Sequence, residues 1–484
     1  MRDAKILFII HTCGLLLIVL SAAMVVPGLL DFAYGNPDWS TFAVSAAVTC
    51  FTGGAWVLMS HGRPLELDRR SGYLLTVVAW CLVGAFGSLP LLFSSLGLSV
   101  TDAVFETMSG LTTTGSTVLT GLDTMAPGLL LWRSLLQWIG GLGIVVMALV
   151  MLPVLRVGGM QLFRTESSDI SEKPVPRVIQ MATVTAIIYV SLSVLCAIGY
   201  DLAGMNAFDA INHAMATIAT GGFSTKDASL GFYDSVPIEI VSIIFMSAGA
   251  LPLVWYLHIV RNPSRLYRLD EQVKGFFLIL VVSTLLMALW NVGHNGMTVA
   301  HALRVSAVNI TSVLTDTGFA TTDFSTWGSF AIGVFFMLMF IGGCAGSTAG
   351  AIKIFRWQLL FSGMRRQLTL TFSPSRAMPQ RYAGRRIDPE MIVGVRNFFF
   401  LYLLTFALLT LGVTATGLDF VSSASGVAQA MANAGPGLGP IVGPAANFST
   451  IPDVAKWLLV VGMLVGRLEL LTVYVLLSPD YWRS

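Results

Sequence analysis

Four short segments of this chain each join an apolar stretch to a glycine among small and polar residues, and they recur at intervals of roughly 100 residues. Their glycines are Gly115, Gly222, Gly318 and Gly435. This interval is far longer than the period of about 20 to 50 residues that stacked solenoid repeats show. Four copies of one loop in a single chain can instead surround a common axis, so the pattern predicts a closed arrangement of four units.

The composition is that of a protein that crosses a membrane many times. Hydrophobic residues make up 55% of the 484 residues and charged residues only 11%, whereas a soluble domain carries about 25% charged residues. Apolar windows of about 20 residues predict membrane spans. The ten predicted spans are 6–27, 40–60, 71–96, 127–155, 180–203, 235–261, 274–295, 327–361, 395–417 and 455–477. The first is longer than the apolar core of a signal peptide, about 7–15 residues, so we interpret it as a retained transmembrane helix.

Shorter apolar pieces stand between these spans, near 101–113, 208–219, 299–314 and 422–432. None of them can cross a bilayer core of about 30 Å at about 1.5 Å per residue, and each leads into one of the four glycines. The sequence therefore predicts an all-α polytopic membrane protein. It has a two-helix N-terminal preface and then four helix–pore-loop–helix repeats in a pseudo-four-fold arrangement.

We assign the preface to 1–62 and the repeats to 63–178, 179–270, 271–386 and 387–484, the third of which includes a gating loop. Asp102 and Asp209 each precede their loop glycine by 13 residues, while repeats three and four have no acidic residue at that offset. Weak internal symmetry of this kind is typical of duplicated membrane folds. The alternative, four unrelated kinks in continuous helices, requires four coincidences.

Lysine and arginine are concentrated on one side of the predicted spans, which indicates the cytoplasmic side. These residues are Arg2, Lys5, Arg63, Arg69, Arg70, Arg156, Arg164, Lys173, Arg177, Arg261, Arg265, Arg268, Lys274, Lys353, Arg356, Arg365, Arg366, Arg376, Arg381, Arg385, Arg386, Arg396 and Arg483. Both termini are therefore predicted to be cytoplasmic. The opposite side has Lys226 and Lys456 among the acids Asp102, Glu106, Asp123, Asp209, Asp227, Asp234, Asp316, Asp323, Asp419 and Asp453. We expect these acids to form an outer mouth that concentrates cations.

The four loops have the composition of an ion filter. Glycine permits the backbone angles that turn consecutive carbonyl oxygens toward one axis, where they replace the water shell of a cation. Non-helical backbone at membrane depth is tolerated where it lines a wet cavity or is packed in protein. The candidate filter residues are Thr113, Thr114, Gly115, Thr220, Gly221, Gly222, Asp316, Thr317, Gly318, Asn433, Ala434 and Gly435.

Asp316 is the unusual member of this set, because a carboxylate on the ion path would hold a cation too firmly. We expect it to point behind the filter and to bond its own backbone. The alternative is a carboxylate within the filter that raises cation affinity or slows the exit of the ion.

A second glycine-rich segment lies in the eighth predicted span. Its small residues are Gly342, Gly343, Gly346, Ser347, Thr348 and Gly350. Each glycine costs a helix about 1 kcal/mol relative to alanine, so this helix is expected to be interrupted. One interpretation is close helix packing by small residues. The other is a flexible loop that lies across the pore as a gate.

Arg467 lies within the last predicted span, where a charged side chain costs roughly 2.5–3.5 kcal/mol. We predict that it faces the cavity below the filter, contacts carbonyl groups of 342–350 and opposes the passage of cations. The alternative is that it extends from a helix end to the membrane interface. Pairing with Glu469 is not expected, because residues two apart diverge on a helix. Lys353 follows the gate and is within reach of the cytoplasmic mouth.

Five segments resemble the Trk/Ktr/HKT superfamily of potassium transporters, namely 105–115, 137–143, 219–225, 342–350 and 435–439. The resemblance extends over roughly 70–477, and the two-helix preface is similar to the TrkH-like branch of the superfamily. It implies a potassium filter at the four loops and a gate at the glycine-rich segment, with Arg467 matching an arginine of the family. It also implies a homodimer and a cytoplasmic nucleotide-binding regulatory ring of the TrkA kind. The basic segment 362–394 is then either an ordinary cytoplasmic loop or a docking surface for such a partner.

We therefore expect potassium uptake across the bacterial inner membrane. The alternative is a sodium-permeable protein, or a proton- or sodium-coupled potassium symporter, of the same fold. Glycine at all four filter positions favours potassium, because the resemblance associates a larger side chain at the first filter position with the sodium-type plant relatives. An enzyme is not expected, because the six histidines, including His213, and the five cysteines show no metal or redox spacing. Apart from the transported K⁺ we expect no cofactor, and we expect contact with membrane lipid but not with nucleic acid.

Overall fold

The computed structural model describes residues 2–63, 68–151, 174–261, 270–376, 381–383 and 385–483, most of which are helical. The helices are α1 Arg2–Ala33, α2 Trp39–Ser60, α3 Arg69–Gly87, α4 Leu89–Phe93, α5 Val100–Leu111, α6 Pro127–Met151, α7 Pro174–Leu202, α8 Ala207–Ile218, α9 Val236–Ala250, α10 Leu253–Arg261, α11 Glu271–His294, α12 Val299–Leu314, α13 Ser329–Leu338, α14 Ile354–Phe372, α15 Pro389–Thr414, α16 Phe420–Ala432, α17 Asp453–Arg467, α18 Leu470–Leu477 and α19 Pro479–Arg483. A small antiparallel hairpin, β1 Arg381–Tyr382 and β2 Arg385–Arg386, departs from the expected all-α fold.

Seven of the described helices are long and apolar enough to cross a membrane, or eight if the pair α17 and α18 is one span. Three of the ten predicted spans are divided. They are 235–261 at Leu251 and Pro252, 327–361 over 339–353, and 455–477 at Leu468 and Glu469. Pro252 cannot donate a backbone hydrogen bond, and α17 and α18 meet at 110°. The break predicted from the glycines of the eighth span is present, and the other two breaks are not visible in hydropathy.

Four short helices end where the sequence predicts, directly before the four glycine loops: α5, α8, α12 and α16. Each loop leads into a short 3₁₀ turn before the next membrane helix. These turns are Leu122–Thr124, Ser229–Phe232, Phe324–Trp327 and Phe448–Thr450. Phe105 of α5 packs against Phe448, with 5.5 Å between ring centroids, so the first and fourth units are in contact.

Hydrogen bonds at the N-termini of the short helices explain why the position of the acidic residue differs between repeats. Ser99 accepts a hydrogen bond from the backbone N of Asp102, and its hydroxyl donates to that carboxylate. This resembles a capping box, except that the carboxylate binds the side chain of the cap and not its backbone N–H. Asn206 and Asp209 make the same reciprocal pair at the start of α8. In the fourth unit the acidic residue is the cap itself, since Asp419 accepts from the N of Ser422.

The two preface helices cross at a pair of glycines. A Cβ added to Gly14 would lie 2.8 Å from the carbonyl oxygen of Gly53, and one added to Gly53 would lie 2.7 Å from that of Gly14. Small residues at such a crossing allow helix backbones in a membrane to approach closely. The preface is attached to α6 through Asp31, which is buried and accepts a 2.7 Å hydrogen bond from the N of Gly128.

The expected cytoplasmic loop 362–394 is only partly a loop. Helix α14 extends to Phe372, and α15 begins at Pro389, with the hairpin between them. Tyr382 of the hairpin donates a 2.6 Å hydrogen bond to Oε1 of Gln358 on α14. Five of the basic residues used for orientation lie outside the described residues: Arg156, Arg164, Lys173, Arg265 and Arg268.

We predict that Gly53→Ala destabilises the protein by roughly 1–3 kcal/mol, the usual range for overpacking, because the new methyl group would collide with the backbone of α1. The measurement is thermal unfolding of the purified protein in detergent. Gly54→Ala is the matched control, since no atom lies within 4 Å of a Cβ at that position. Equal melting temperatures for the two variants would contradict the close crossing.

Candidate functional site

The four short helices end in one and the same turn. The residue two before each loop glycine has a left-handed backbone, with φ of 55° at Thr113, 51° at Thr220, 58° at Asp316 and 58° at Asn433. The next residue donates its N–H to the carbonyl five residues back, as in the Schellman motif. These bonds are Thr114 to Ser109 at 2.8 Å, Gly221 to Ala216 at 2.8 Å, Thr317 to Ser312 at 2.8 Å and Ala434 to Gln429 at 3.0 Å. Threonine in this conformation is strained, which is typical of functional sites.

The loops meet through their glycines in a regular order. A Cβ added to each glycine would face the carbonyl oxygen of the residue that precedes the glycine of the next loop. The distances are 2.1 Å from Gly115 to Gly221, 2.0 Å from Gly222 to Thr317, 2.8 Å from Gly318 to Ala434 and 3.4 Å from Gly435 to Thr114. The fourth contact returns to the first loop and closes a ring, but it is the loosest, because a Cβ on Gly435 would lie closest to Cα of Gly318, at 2.7 Å. Side chains at Gly115, Gly222 and Gly318 would point at a neighbouring carbonyl.

A buried ion pair joins the first two loops. Nε of Arg133 on α6 lies 2.8 Å from Oε1 of Glu106 on α5, and both side chains are almost fully buried. Arg133 also donates to the carbonyl of Ser224 at 3.0 Å and stacks over Phe223, while Glu106 accepts from the hydroxyl of Thr117. Glu106 was expected at the outer mouth but is buried here, and Arg133 was not among the predicted site residues. An arginine inside a predicted span was the available signal.

Further side-chain hydrogen bonds hold the first, second and fourth loops. His213 of α8 is buried, as expected of a packing residue. It also makes a hydrogen bond, since its Nε2 lies 2.9 Å from Oγ of Ser224. Between the first and fourth loops, Ser116 donates to the carbonyl of Gly435 at 3.0 Å. Nδ2 of Asn433 donates to Oγ1 of Thr114 at 2.9 Å.

Asp316 occupies the left-handed position of the third loop, where aspartate is better tolerated than most residues. Its side chain is fully buried, and a Cβ on Gly342 would lie 3.0 Å from Oδ2. The carboxylate thus lies against the glycine-rich segment. The expected hydrogen bond to its own backbone is absent, and neither carboxylate oxygen has a partner among the described residues.

The segment 339–353 is not helical and contacts the ends of two short helices. Thr348 donates its hydroxyl to the carbonyl of Ile218 at 2.9 Å, at the end of α8. The N of Ala351 donates to the carbonyl of Ala432 at 2.9 Å, at the end of α16. It also bonds the α9–α10 break, where the N of Cys344 donates to Ala250 at 2.9 Å, and α11, where Gln272 accepts from the N of Ala345 at 2.9 Å.

Arg467 is buried at the C-terminal end of α17, and its Nη1 donates to the carbonyl of Thr348 at 2.8 Å. The predicted contact with the glycine-rich segment is therefore present. Glu469 forms an ion pair with Arg356 of α14 instead. Lys353 is half-buried and lies within electrostatic range of Glu469 and Asp316, so it belongs to this charged group.

Several of the outer acidic residues pair with cations, so the expected acidic mouth is partly neutralised, although its acids still outnumber the cations Arg133, Lys226, Arg304 and Lys456. Nζ of Lys456 lies 2.6 Å from Oδ1 of Asp102. Arg304 binds both Asp234 and Glu239 at 2.7 Å. Lys226 lies 3.9 Å from Asp209 and equally far from Asp123. Of the acids assigned to the mouth, Glu106 and Asp316 are fully buried.

Comparison with known proteins gives one consistent answer. The TrkH family model, described as a cation transport protein, matches residues 40–484. The chain is 42% identical to the Trk system potassium uptake protein TrkI of Halomonas elongata, over 98% of the chain and 97% of that protein. It is 38% identical to TrkH of Escherichia coli, over 97% and 98%. The crystal structure of the potassium transporter TrkH from Vibrio parahaemolyticus superposes with a TM-score of 0.90 at 37% identity and covers 100% of both chains.

We predict that Arg133→Gln destabilises the protein by about 3–5 kcal/mol, because it leaves the buried charge of Glu106 without its partner. The measurement is the melting temperature of the purified protein in detergent. Lys274→Gln is the control, since Lys274 pairs with Glu271 while both are half exposed, and such a pair contributes only about 0–1 kcal/mol. Similar small effects of both substitutions would exclude a structural role for the buried pair.

Proposed function

The chain belongs to the TrkH family of cation transport proteins, and we propose that it takes up potassium ions across the bacterial inner membrane. Members of this family are transporters and not enzymes. Three further features support the proposal: the multi-span helical fold, the loop ring, and relatives named as potassium uptake proteins.

The observation that carries the proposal is the closed ring of glycine-to-carbonyl contacts among the four loops. A bare K⁺ requires several oxygen ligands to replace its water shell, and a ring of backbone carbonyls supplies them. We assign this role to the twelve filter residues, with the carbonyls of Thr114, Gly221, Thr317 and Ala434 next to the glycines. The short helices end at the ring, and the partial negative charge of a helix C-terminus favours a cation there. The four units from 63 to 484, in pseudo-four-fold arrangement, are part of this proposal.

The glycine-rich segment is proposed as the gate, together with Arg467. The small residues of 342–350 form a non-helical loop beneath the proposed filter, and this loop is bonded to α8 through Thr348, to α16 through Ala351 and to Arg467. Ala351 and Lys353 have positive φ angles of 48° and 71°, which is strain that a second conformation can relieve. The guanidinium of Arg467 adds an electrostatic barrier to cations below the filter.

The direction of transport follows from the membrane potential. Each K⁺ that moves inward gains about 2.3 kcal/mol per 100 mV when the cytoplasm is negative. The basic residues support cytoplasmic termini, and this orientation puts the gate on the inner side of the filter. Relatives named for a Trk system support a partner of the same system. The proposal includes a homodimer regulated by a TrkA-like nucleotide-binding ring on the cytoplasmic face.

One observation favours the alternative, a coupled potassium symporter or a sodium-permeable protein. Asp316 is a buried carboxylate without a hydrogen-bond partner among the described residues, and coupled transporters use ionisable groups at membrane depth. Asp316→Asn separates the two readings. A passive potassium pathway retains uptake that follows the membrane potential alone, whereas a coupled pathway loses its dependence on the proton or sodium gradient.

Potassium uptake is tested by growth of a bacterium that lacks its own potassium uptake systems, at low external K⁺. The wild-type protein, supplied with the partner of the same system, is expected to restore growth. Gly222→Ala is expected to abolish it, because the methyl group would lie 2.0 Å from the carbonyl oxygen of Thr317.

The matched control is Gly333→Ala, where the new Cβ meets no atom within 4 Å. This variant is expected to grow like wild type. The potassium proposal fails if the wild-type protein is present in the membrane and growth is not restored. Full growth of the Gly222→Ala strain would remove the filter role from that glycine.

The gate is tested by ⁸⁶Rb⁺ flux into proteoliposomes. Arg467→Gln is expected to raise the flux about tenfold, since it removes both the positive charge and a bond to the carbonyl of Thr348. Arg365→Gln, at an exposed arginine, serves as the control. Equal flux through a stable Arg467→Gln protein and the wild type would refute the barrier.

A further inference from the structure

We propose that Gln137 is a positioning residue that holds the carbonyl of Gly221 in the filter ring and thereby contributes to cation selectivity. This inference rests on the proposed potassium filter. It concerns the second loop, which differs from the other three at the residue before its glycine.

The side-chain amide of Gln137 binds the second loop on both sides of Gly222. Nε2 donates to the carbonyl oxygen of Gly221 at 2.5 Å, and Oε1 accepts from the N of Phe223 at 3.1 Å. Gln137 is fully buried. Both hydrogen-bonding groups of one amide are thus committed to the backbone of one loop, which fixes the orientation of that loop.

The second loop has no side chain of its own for this purpose. In the first and third loops, the threonine before the glycine bonds another threonine of its loop, Thr114 to Thr112 and Thr317 to Thr315, at 2.8 Å each. The equivalent residue of the second loop is Gly221. A Cβ there would lie 2.4 Å from Cδ of Gln137. The glutamine therefore fills the volume that a side chain occupies in these other loops.

Helix α6 holds Gln137 at a fixed distance from the loop. One turn before it, Arg133 bonds Ser224, and one turn after it, Gly141 packs so closely that an added Cβ would lie 3.0 Å from Cα of Ala219. Residues four apart share a face of a helix. This face of α6 thus contacts the second loop at three successive turns, through Arg133, Gln137 and Gly141. Moving α6 away from the loop would break all three contacts.

The carbonyl that Gln137 holds is the same carbonyl that faces Gly115 in the ring. Selection among cations depends on the number and field strength of the oxygens that replace the water shell. A donor behind one of four carbonyls fixes its direction and reduces its freedom to follow a smaller ion. Loss of the donor is therefore expected to weaken discrimination against Na⁺ more than it weakens transport itself.

The test measures K⁺ and Na⁺ uptake by proteoliposomes that contain the wild type, Gln137→Glu or Gln137→Leu. The carboxylate of Gln137→Glu has nearly the shape of the amide but cannot donate to Gly221 when ionised, and leucine makes neither bond. Both variants are expected to lower the K⁺/Na⁺ ratio about tenfold. Trp138→Phe is the control on the same helix, since it removes a buried hydrogen bond to Ser193 rather than to the loop. It is expected to leave the ratio unchanged.

A side-chain exchange tests the same idea in the opposite direction. Gly221→Thr alone is expected to abolish uptake, because the new side chain collides with Gln137. The double variant Gln137→Ala with Gly221→Thr gives the second loop the threonine of loops one and three. It is expected to recover measurable K⁺ uptake, and this recovery decides the matter if the single variants at Gln137 do not fold.

The outcomes separate this inference from the proposed function. Absence of K⁺ uptake by the wild type would overturn the potassium filter itself. A wild-type protein that takes up K⁺, together with an unchanged K⁺/Na⁺ ratio in Gln137→Leu, would overturn only the role of Gln137. Failure of the double variant to exceed Gly221→Thr, despite wild-type thermal stability, would overturn it as well.

Discussion

The structure depends on ending four helices at membrane depth, where water is not available to bind the last carbonyl groups. An unsatisfied backbone group in such surroundings costs several kcal/mol, so each helix end requires partners. The left-handed turn provides the first of them by folding the loop back onto the helix. Neighbouring helices and segments provide the rest, as in the bonds from Thr348 to Ile218 and from Ala351 to Ala432. The close packing of the four loops follows from this solution, because each turn carries the chain out of its helix and against the neighbouring loops.

Close backbone approach is the second part of the same constraint. A Cβ on Gly140 would lie 1.8 Å from the carbonyl of Leu111, and one on Gly466 would lie 2.1 Å from that of Met431. The helix that follows each of these loops therefore presses a glycine against the end of the preceding short helix. The third unit uses the segment 339–353 at this place, with Gly342 beside Asp316. In the third unit the interrupted span therefore makes the contact with the end of the short helix that a continuous helix makes in the first and fourth units.

The sequence was informative where the signal is local. Short apolar pieces, the glycines after them and the glycine content of 342–350 predicted the short helices and one broken span, because propensity and length act within a few residues. The pairs that hold the loops were not predictable in this way. Arg133 and Glu106 are 27 residues apart, and Arg356 and Glu469 are 113 apart, so their partners depend on the fold. The partner of Asp102 was hidden for the same reason, since Lys456 reaches it across 354 positions of the chain. The break at Leu468 and Glu469 is likewise invisible in an apolar window.

The charged group around Arg467 explains why the proposed four-fold symmetry is incomplete. Asp316, Lys353, Arg356, Arg467 and Glu469 come from the third loop and from the two broken spans that follow the third and fourth loops. Buried charges are tolerated only when opposite charges or dipoles compensate them. Arg467 gains from its place at the C-terminal end of α17, where the helix dipole favours a cation. Four identical units would bring four like charges to one axis, whereas two altered units bring both signs. In the proposed gate, the asymmetry is therefore what allows charge to be placed beneath a four-fold filter at all, and a carboxylate at Asp316 becomes part of that compensation rather than an obstacle on the ion path.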